Sequence, residues 1–422
     1  MDAFRIRGGR QLEGTVAVGG AKNAALPIMA AALLIPGKTR IDRVPRLRDV
    51  QTMQQVLDTL GAKGHHTNGS FEIDATELCS SEAPWDLVRR MRASIYVLGP
   101  LLARLGHARV SLPGGCAWGP RPVDFHLRGM ERLGAQIHID HGYIEAIAPP
   151  GGLRGGHVSF DVPSVGATGN VLMAAVLARG TTIVENAARE PEIVALADFL
   201  VASGAKIEGH GTATISVEGV RELHPVRFEN IPDRIEAGTY LAAAAITGGS
   251  VLLEQVRADH LSIVIDRFRE MGAIIEVEGQ AIQVTGPERL GAVDLHTQPY
   301  PGFPTDLQAI FMAMLCVADG TGVISEAIYT DRFTHVPELQ RLGADIQLND
   351  HVATVRGSKG LAGAQVMSTD LRASCAMVLG GLVAEGETIV HRVYHIDRGY
   401  ERIEERLQRI GADIERFSEE GP

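Results

Sequence analysis

The sequence has little of several things, and each shortage narrows what the chain can be. It has four cysteines in 422 residues, Cys79, Cys116, Cys316 and Cys375, with no regular spacing. That excludes a disulfide framework and fits reduced thiols. No CxxC pair and no clustered Cys/His spacing occurs, so no metal site is expected. Long hydrophobic runs are missing too. The longest, 24-AALPIMAAALLIP-36, falls short of the roughly 20 residues that a bilayer span needs. The segment after Met1, DAFRIRGGRQLEG, carries no apolar run, so no signal peptide is expected. Basic charge is also in deficit. With a formal net charge of −11 the chain lacks the general basic footprint of a nucleic-acid binder. An anionic ligand would need a local cluster of Lys and Arg working against the overall field. What remains, 45% apolar and 22% charged residues, reads as a soluble, cytoplasmic, globular protein of two or three domains, with no membrane partner.

What is present is a repeat. One phrase occurs six times, as 60-LGAKG-64, 133-LGAQI-137, 203-SGAKI-207, 271-MGAII-275, 342-LGADI-346 and 410-IGADI-414. Its glycines, Gly61, Gly134, Gly204, Gly272, Gly343 and Gly411, are 73, 70, 68, 71 and 68 residues apart. A period held through the whole chain means internal repetition. Each phrase ends an amphipathic helical pattern, with the glycine suited to a helix C-cap. In 274-IIEVEGQAIQVTG-286 a β-pattern follows, with Gly279 at a hairpin turn. An alanine-rich helix and a strand precede each phrase, as in 241-LAAAAITGGSVLLEQV-256. The alanine-rich helices are apolar nearly all round, which predicts burial among other helices. The pattern predicts an α/β fold, with helices inside and strands outside, in six units grouped three and three. The strand in 3-AFRIRGG-9 lacks a preceding helix and is expected to complete the last repeat. One domain would then span 21–230 and the other 1–20 with 231–422, with an active site in the cleft between them.

Four features could carry chemistry. In 19-GGAKNAALP-27, Lys22 and Asn23 stand at a helix start, where backbone N–H groups and an ammonium make an anion site; the alternative is a turn with a solvated lysine. Arg92, Arg121, Arg372 and Arg398 lie near repeat junctions, and arginine suits bidentate binding of carboxylate and phosphate. The near-copies 91-MRAS-94 and 371-LRAS-374 each read as opening an apolar helix. Asp306 and Asp370 sit just ahead of apolar helices, as N-caps or as a general base. The stretch 112-LPGGCAWGPRPVDFH-126 is a loop, because no helix or strand tolerates so many glycines and prolines. It reads as a lid, hinged at Gly114 and Gly115 and stiffened by Pro120 and Pro122. Arg121 could lower the pKa of Cys116. Cys316 and Cys375 fall in apolar helical patterns and read as core.

The motifs 20-GAKNAALP-27, 91-MRASI-95, 111-SLPGGC-116, 121-RPVD-124, 164-SVGAT-168, 185-ENAAREPEI-193, 231-IPDRIEAGT-239, 303-FPTD-306, 364-AQVMSTDLRAS-374 and 392-RVYHIDRGYERIE-404 together resemble the enolpyruvyl transferases of peptidoglycan synthesis over essentially the whole chain. The resemblance implies two inside-out α/β barrel (prism) domains, each of three βαβαββ-type repeats. It implies transfer of the enolpyruvyl group of phosphoenolpyruvate to the 3-hydroxyl of UDP-N-acetylglucosamine, with loss of phosphate through a tetrahedral ketal and without a cofactor. On this likeness Cys116 is a general acid, forms an adduct with phosphoenolpyruvate, and is alkylated by fosfomycin. Asp306 is the base at the sugar hydroxyl and Asp370 a further catalytic acid. Lys22, Arg121 and Arg398 bind phosphoenolpyruvate, with Arg92 and Arg372 nearby, and Asn23 positions the sugar. Arg121, Pro122, Val123, Asp124 and Phe125, then Val162, Pro163, Ser164 and Val165, and Ile328 contact the nucleotide sugar.

The chain departs from that family at Arg48, Tyr96, Pro120 and Phe125, where lysine, tryptophan, alanine and leucine are common. Two other readings compete. A synthase of enolpyruvylshikimate phosphate would share the repeats and phosphoenolpyruvate, but its reaction needs no loop cysteine. A non-catalytic repeat scaffold would not concentrate special residues at repeat junctions.

Overall fold

The computed structural model describes residues 2–67, 69–112 and 123–418. The chain divides into two compact units, Gly20–Ile231 on one hand and Met1–Gly19 with Pro232–Pro422 on the other. Each has its own apolar core.

Each unit contains three four-stranded sheets of one design. In Gly20–Ile231, His157–Ser159 pairs parallel with Thr181–Glu185. Thr181–Glu185 pairs antiparallel with Thr214–Glu218, whose other edge takes Lys206–Glu208. Both units close the design with a strand from elsewhere in the chain. Arg227–Glu229 pairs parallel with Lys38–Asp42, Phe228 opposite Ile41. Glu13–Ala17 does the same for Ser250–Glu254. The N-terminal strand Asp2–Arg7 lies between Glu387–His391 and Asp413–Ser418, with Phe4 opposite Val390 and Arg416, and so completes the last repeat.

The sheets have the expected prism arrangement. Among the described residues each is open and none closes into a barrel. The strands are mostly five residues long, and the first of each sheet two to five. In four of the six sheets a helix follows the short first strand and leads back to the second strand of the same sheet, as Val165–Ala175 does between His157–Ser159 and Thr181–Glu185. A three-sided α/β prism describes each unit better than a barrel.

The inner helices are Lys22–Ala31, Leu98–Leu105 and Val165–Ala175 in one unit, and Arg234–Ile246, Gln308–Leu315 and Leu371–Val383 in the other. All thirteen residues of Arg234–Ile246 except Arg234 are buried. Small residues permit that packing. A Cβ on Gly99 would stand 2.5 Å from the Asn170 carbonyl oxygen. The same Asn170 accepts from the Gly99 amide at 2.9 Å and donates to the Ile95 carbonyl at 2.9 Å. The six repeat glycines all have φ between 91° and 105°, the left-handed conformation that ends a helix cheaply only in glycine. Among the described residues no helix is long and apolar enough to cross a membrane.

Candidate active site

In Gly20–Ile231 the motif GGAKN is built around close approaches. A Cβ on Gly20 would fall 1.6 Å from the Arg43 carbonyl oxygen, so only glycine fits. Asn230 ties the segment down by donating to the Ala21 and Arg43 carbonyls at 3.0 and 3.2 Å. Lys22 then opens its helix, which has no side-chain cap. Its side chain is not solvated: Lys22 is 7% exposed, and its Nζ donates to Asp49 Oδ2 at 3.0 Å. Asp49 is buried in the first turn of the helix Arg48–Leu60. A buried ammonium with a carboxylate on one side and uncapped helix amides beside it suits an anionic ligand.

The sequence-predicted nucleotide contacts fall on two adjoining segments. Asp124 opens the helix Asp124–Arg132, and Arg128 joins it at 2.7 Å to Asp161 at 3.3 Å. Phe125 meets Phe160 edge-on, with ring centroids 5.9 Å apart. Val162 and Val165 are exposed, and Ser164 caps the helix Val165–Ala175 through the Ala167 amide. Buried His126, one residue on, meets Asn170 Nδ2 through Nδ1 at 2.9 Å. Burial, helped by the Arg92 charge, pushes its pKa down to about 3. Cys116, Arg121 and Pro122, with the rest of the expected lid from 113 to 122, lie outside the described residues.

In the other unit Asp306 and Asp370 play different parts. Asp370 is a true N-cap: its Oδ1 accepts from the Arg372 and Ala373 amides at 2.8 and 3.3 Å. Its Oδ2 is buried with no hydrogen-bond partner among the described residues. Burial pushes its pKa up, against the pull of Arg332 and its own capping bonds. Asp306 is not a cap. It lies in the 3₁₀ turn Thr305–Leu307, ahead of Gln308–Leu315, and two guanidinium groups hold its carboxylate. Arg332 Nη2 reaches Oδ1 at 2.9 Å, and Arg372 reaches Oδ2 through Nε and Nη2 at 3.2 and 3.1 Å. Arg398 ends the 3₁₀ segment Val393–Arg398. The neighbouring Asp397 is held there by both terminal nitrogens of Arg416, at 3.1 and 2.6 Å.

The near-copies MRAS and LRAS diverge. Leu371–Val383 is helical from its start because Asp370 caps it. Arg90 stands at the matching place in the other copy, and Arg92–Val97 is a 3₁₀ turn before the helix proper. Arginine has no acceptor with which to cap.

Several residues that contact the candidate side chains gave no sequence signal. Arg332 sits in 330-TDRFT-334 without a motif around it. Asp49 and Lys22 are 27 residues apart. Ile328, expected at the nucleotide sugar, has its amide fixed by Glu326 Oε1 at 2.8 Å; Glu326 was unmarked as well. Among the described residues no group of three or more His, Cys, Asp or Glu could hold a metal ion. Tyr96 packs against Gly169, where a Cβ would meet its ring carbon at 2.9 Å. Cys316 and Cys375 are buried and burial raises both pKa values to about 12, whereas Cys79 is exposed.

Six prism repeats with basic and acidic residues at their inner-helix starts define a class, and comparison with known proteins identifies it. Residues 6–407 match the EPSP synthase (3-phosphoshikimate 1-carboxyvinyltransferase) family, and the chain belongs to that family. Within it, the chain is 55% identical over 417 residues to the UDP-N-acetylglucosamine 1-carboxyvinyltransferase of Chlorobium phaeovibrioides, covering 99% of this chain and 98% of that one. The enzymes of the same name from Trichlorobacter lovleyi and Zymomonas mobilis are each 54% identical, over 99% of this chain and 100% and 99% of theirs. The enolpyruvyl transferase NikO from Streptomyces tendae superposes with a TM-score of 0.89 at 26% identity, over 98% of both chains. EPSP synthase from Acinetobacter baumannii, at 20% identity over 99% of this chain and all of that one, shares the fold with a TM-score of 0.77.

Proposed function

We propose that this chain is the cytoplasmic enzyme that transfers the enolpyruvyl group of phosphoenolpyruvate to the 3-hydroxyl of UDP-N-acetylglucosamine in peptidoglycan synthesis. The observation that carries the reading is identity above 50%, end to end, with relatives named for that reaction. The chemistry balances with residues of this chain. A proton adds to C3 of phosphoenolpyruvate, and C2 becomes electrophilic. The sugar O3 attacks C2 while Asp306 accepts the hydroxyl proton. The resulting ketal loses the C3 proton and the C2–O bond to phosphate, leaving the enol ether and inorganic phosphate.

Asp306 suits the role of base because its ion pairs with Arg332 and Arg372 favour a carboxylate over an acid. Lys22, Arg92, Arg121, Arg372 and Arg398 are assigned to phosphoenolpyruvate, and Asn23 to the sugar. Residues 121–125 and 162–165, with Ile328, are assigned to the nucleotide sugar; exposed Val162 and Val165 offer an apolar surface for a base. Cys116 is assigned as proton donor and as the site of fosfomycin alkylation. Asp370, with its raised pKa, is assigned as a second proton-carrying group.

Phosphate release from phosphoenolpyruvate, run in turn with UDP-N-acetylglucosamine and with shikimate 3-phosphate, tests the reading. The nucleotide sugar should support release, and shikimate 3-phosphate should not. The reverse result would assign the chain to its sister activity. Fosfomycin should abolish the activity and should fail to modify Cys116→Ser. Full activity after treatment would remove Cys116 from the mechanism.

A further inference from the structure

Glu326 occupies a position that the repeats make comparable. It follows the strand Thr321–Ser325, as Arg43, Asn186, Gln255 and Arg392 follow the matching strands of four other repeats. Those four residues have left-handed backbones, with φ of 58°, 52°, 57° and 58°; Glu326 does not. Its side chain is instead fully buried, at 0% exposure. Burying a carboxylate costs several kcal/mol unless its oxygens are satisfied. Here four uncharged donors satisfy them. Oε1 accepts from Thr297 Oγ1 at 2.7 Å and from the Ile328 and Tyr329 amides at 2.8 and 3.0 Å. Oε2 accepts from Thr305 Oγ1 at 2.8 Å.

Thr305 is the residue before Asp306, and its hydroxyl also accepts from Arg332 Nη1 at 2.9 Å. The polarity of this chain is forced. Arginine can only donate and a carboxylate can only accept, so the single Thr305 hydroxyl proton must point at Glu326. Its lone pairs then face Arg332, whose other terminal nitrogen holds Asp306. The sequence runs from Glu326 to Thr305, to Arg332, to Asp306.

We propose that Glu326 is a positioning residue for the reaction, orienting the Asp306 carboxylate through Thr305 and Arg332. This rests on the reading of Asp306 as the base. Thr297 serves as an internal control, since it also donates to Glu326 but is no part of the chain to Arg332.

The test is steady-state kinetics and thermal unfolding of four single variants and one double variant. Glu326→Gln retains the shape, but its amide NH₂ must face Thr305, because the other oxygen already takes two backbone N–H groups that cannot reverse. The Thr305 oxygen then meets two donors and its proton must turn away. Glu326→Gln and Thr305→Val should each lower kcat roughly 10- to 100-fold, the scale of a misplaced reacting group, with KM for UDP-N-acetylglucosamine within about threefold. Thr305→Ser should retain most of kcat. Thr297→Val should lower the unfolding midpoint yet hold kcat within about threefold. The double variant Glu326→Gln/Thr305→Val should be no worse than the poorer single one, as a shared path requires. If Thr305→Val kept wild-type kcat, or if Thr297→Val lost as much kcat as Thr305→Val, Glu326 would be structural only. A wild-type protein that released no phosphate with the nucleotide sugar would instead overturn the reading of the reaction, and this inference with it.

Discussion

The two units are built alike and differ in what opens their inner helices. In Gly20–Ile231 two of the three start with cations, Lys22 and Arg92, and the third with the Ser164 cap. In the other unit all three start with acids, Asp233, Asp306 and Asp370. The helix start is a place the repeat provides, with unpaired amides and a positive end of the dipole. The residue type placed there sets the job. Asp233 and Asp370 spend their carboxylates on the amides of their own helices. Asp306 escapes that job because a 3₁₀ turn precedes its helix and two arginines claim its oxygens. Capping, open to both acids in the sequence, thus falls to Asp370 alone, and Asp306 is held in an ion-pair cluster.

Breaking the Lys22–Asp49 pair should have the largest effect on stability. Lys22→Met removes the ammonium from a buried carboxylate, and the loss of such a pair costs about 3–5 kcal/mol. Urea unfolding should show that loss, and Lys22→Met/Asp49→Leu should recover part of it. A loss under about 1 kcal/mol would mean that the pair is as weak as a surface one. The caps come next. Asp370→Ala should cost about 1–2 kcal/mol and Ser164→Ala about 1 kcal/mol, the usual range for N-caps. The Asp370 figure should be the smaller fraction of its capping energy at high pH, since removing this acid also removes a charge that burial disfavours.

At neutral pH the smallest effect comes from two buried histidines, whose contribution shows as a change in pH dependence. His126 in one unit and His335 in the other are each held down to about 3, first by burial and then by Arg92 and Arg332 respectively. A histidine depressed in the folded state adds stability that is complete above its unfolded pKa of about 6.5 and is lost as pH falls toward 3. Both ring nitrogens of His335 lack hydrogen-bond partners among the described residues. His335→Leu should therefore flatten the stability curve between about pH 6.5 and 3, by up to roughly 1.4 kcal/mol per pH unit, with little cost at pH 7. An unchanged acid limb in that variant would refute the assignment.

Much of the fold could be read from residues alone, because the repeat glycines obey a local rule. All six have the left-handed φ that a C-cap needs, and the orphan strand near the N-terminus found its sheet at the last repeat. Which strand completes each sheet was harder to read, since the pairing of Arg227–Glu229 with Lys38–Asp42 and of Glu13–Ala17 with Ser250–Glu254 leaves no mark in so short a pattern. The candidate site offered residue types in the sequence, but not their partners. Lys22 looked like a surface lysine or an anion ligand, and its pairing with Asp49 depends on tertiary contact. Arg332 and Glu326 carry no motif, and only tertiary contacts bring them to Asp306 and Thr305. The unlike behaviour of MRAS and LRAS came from one residue upstream, Asp370 against Arg90.

The measurement that bears most directly on this account is a paired one on Asp306→Ala: binding of UDP-N-acetylglucosamine by calorimetry, and single-turnover phosphate release at saturating substrates. The account predicts that the nucleotide sugar still binds and that turnover falls by roughly two to four orders of magnitude, the share of a positioned general base. Near-normal turnover in that variant would contradict it.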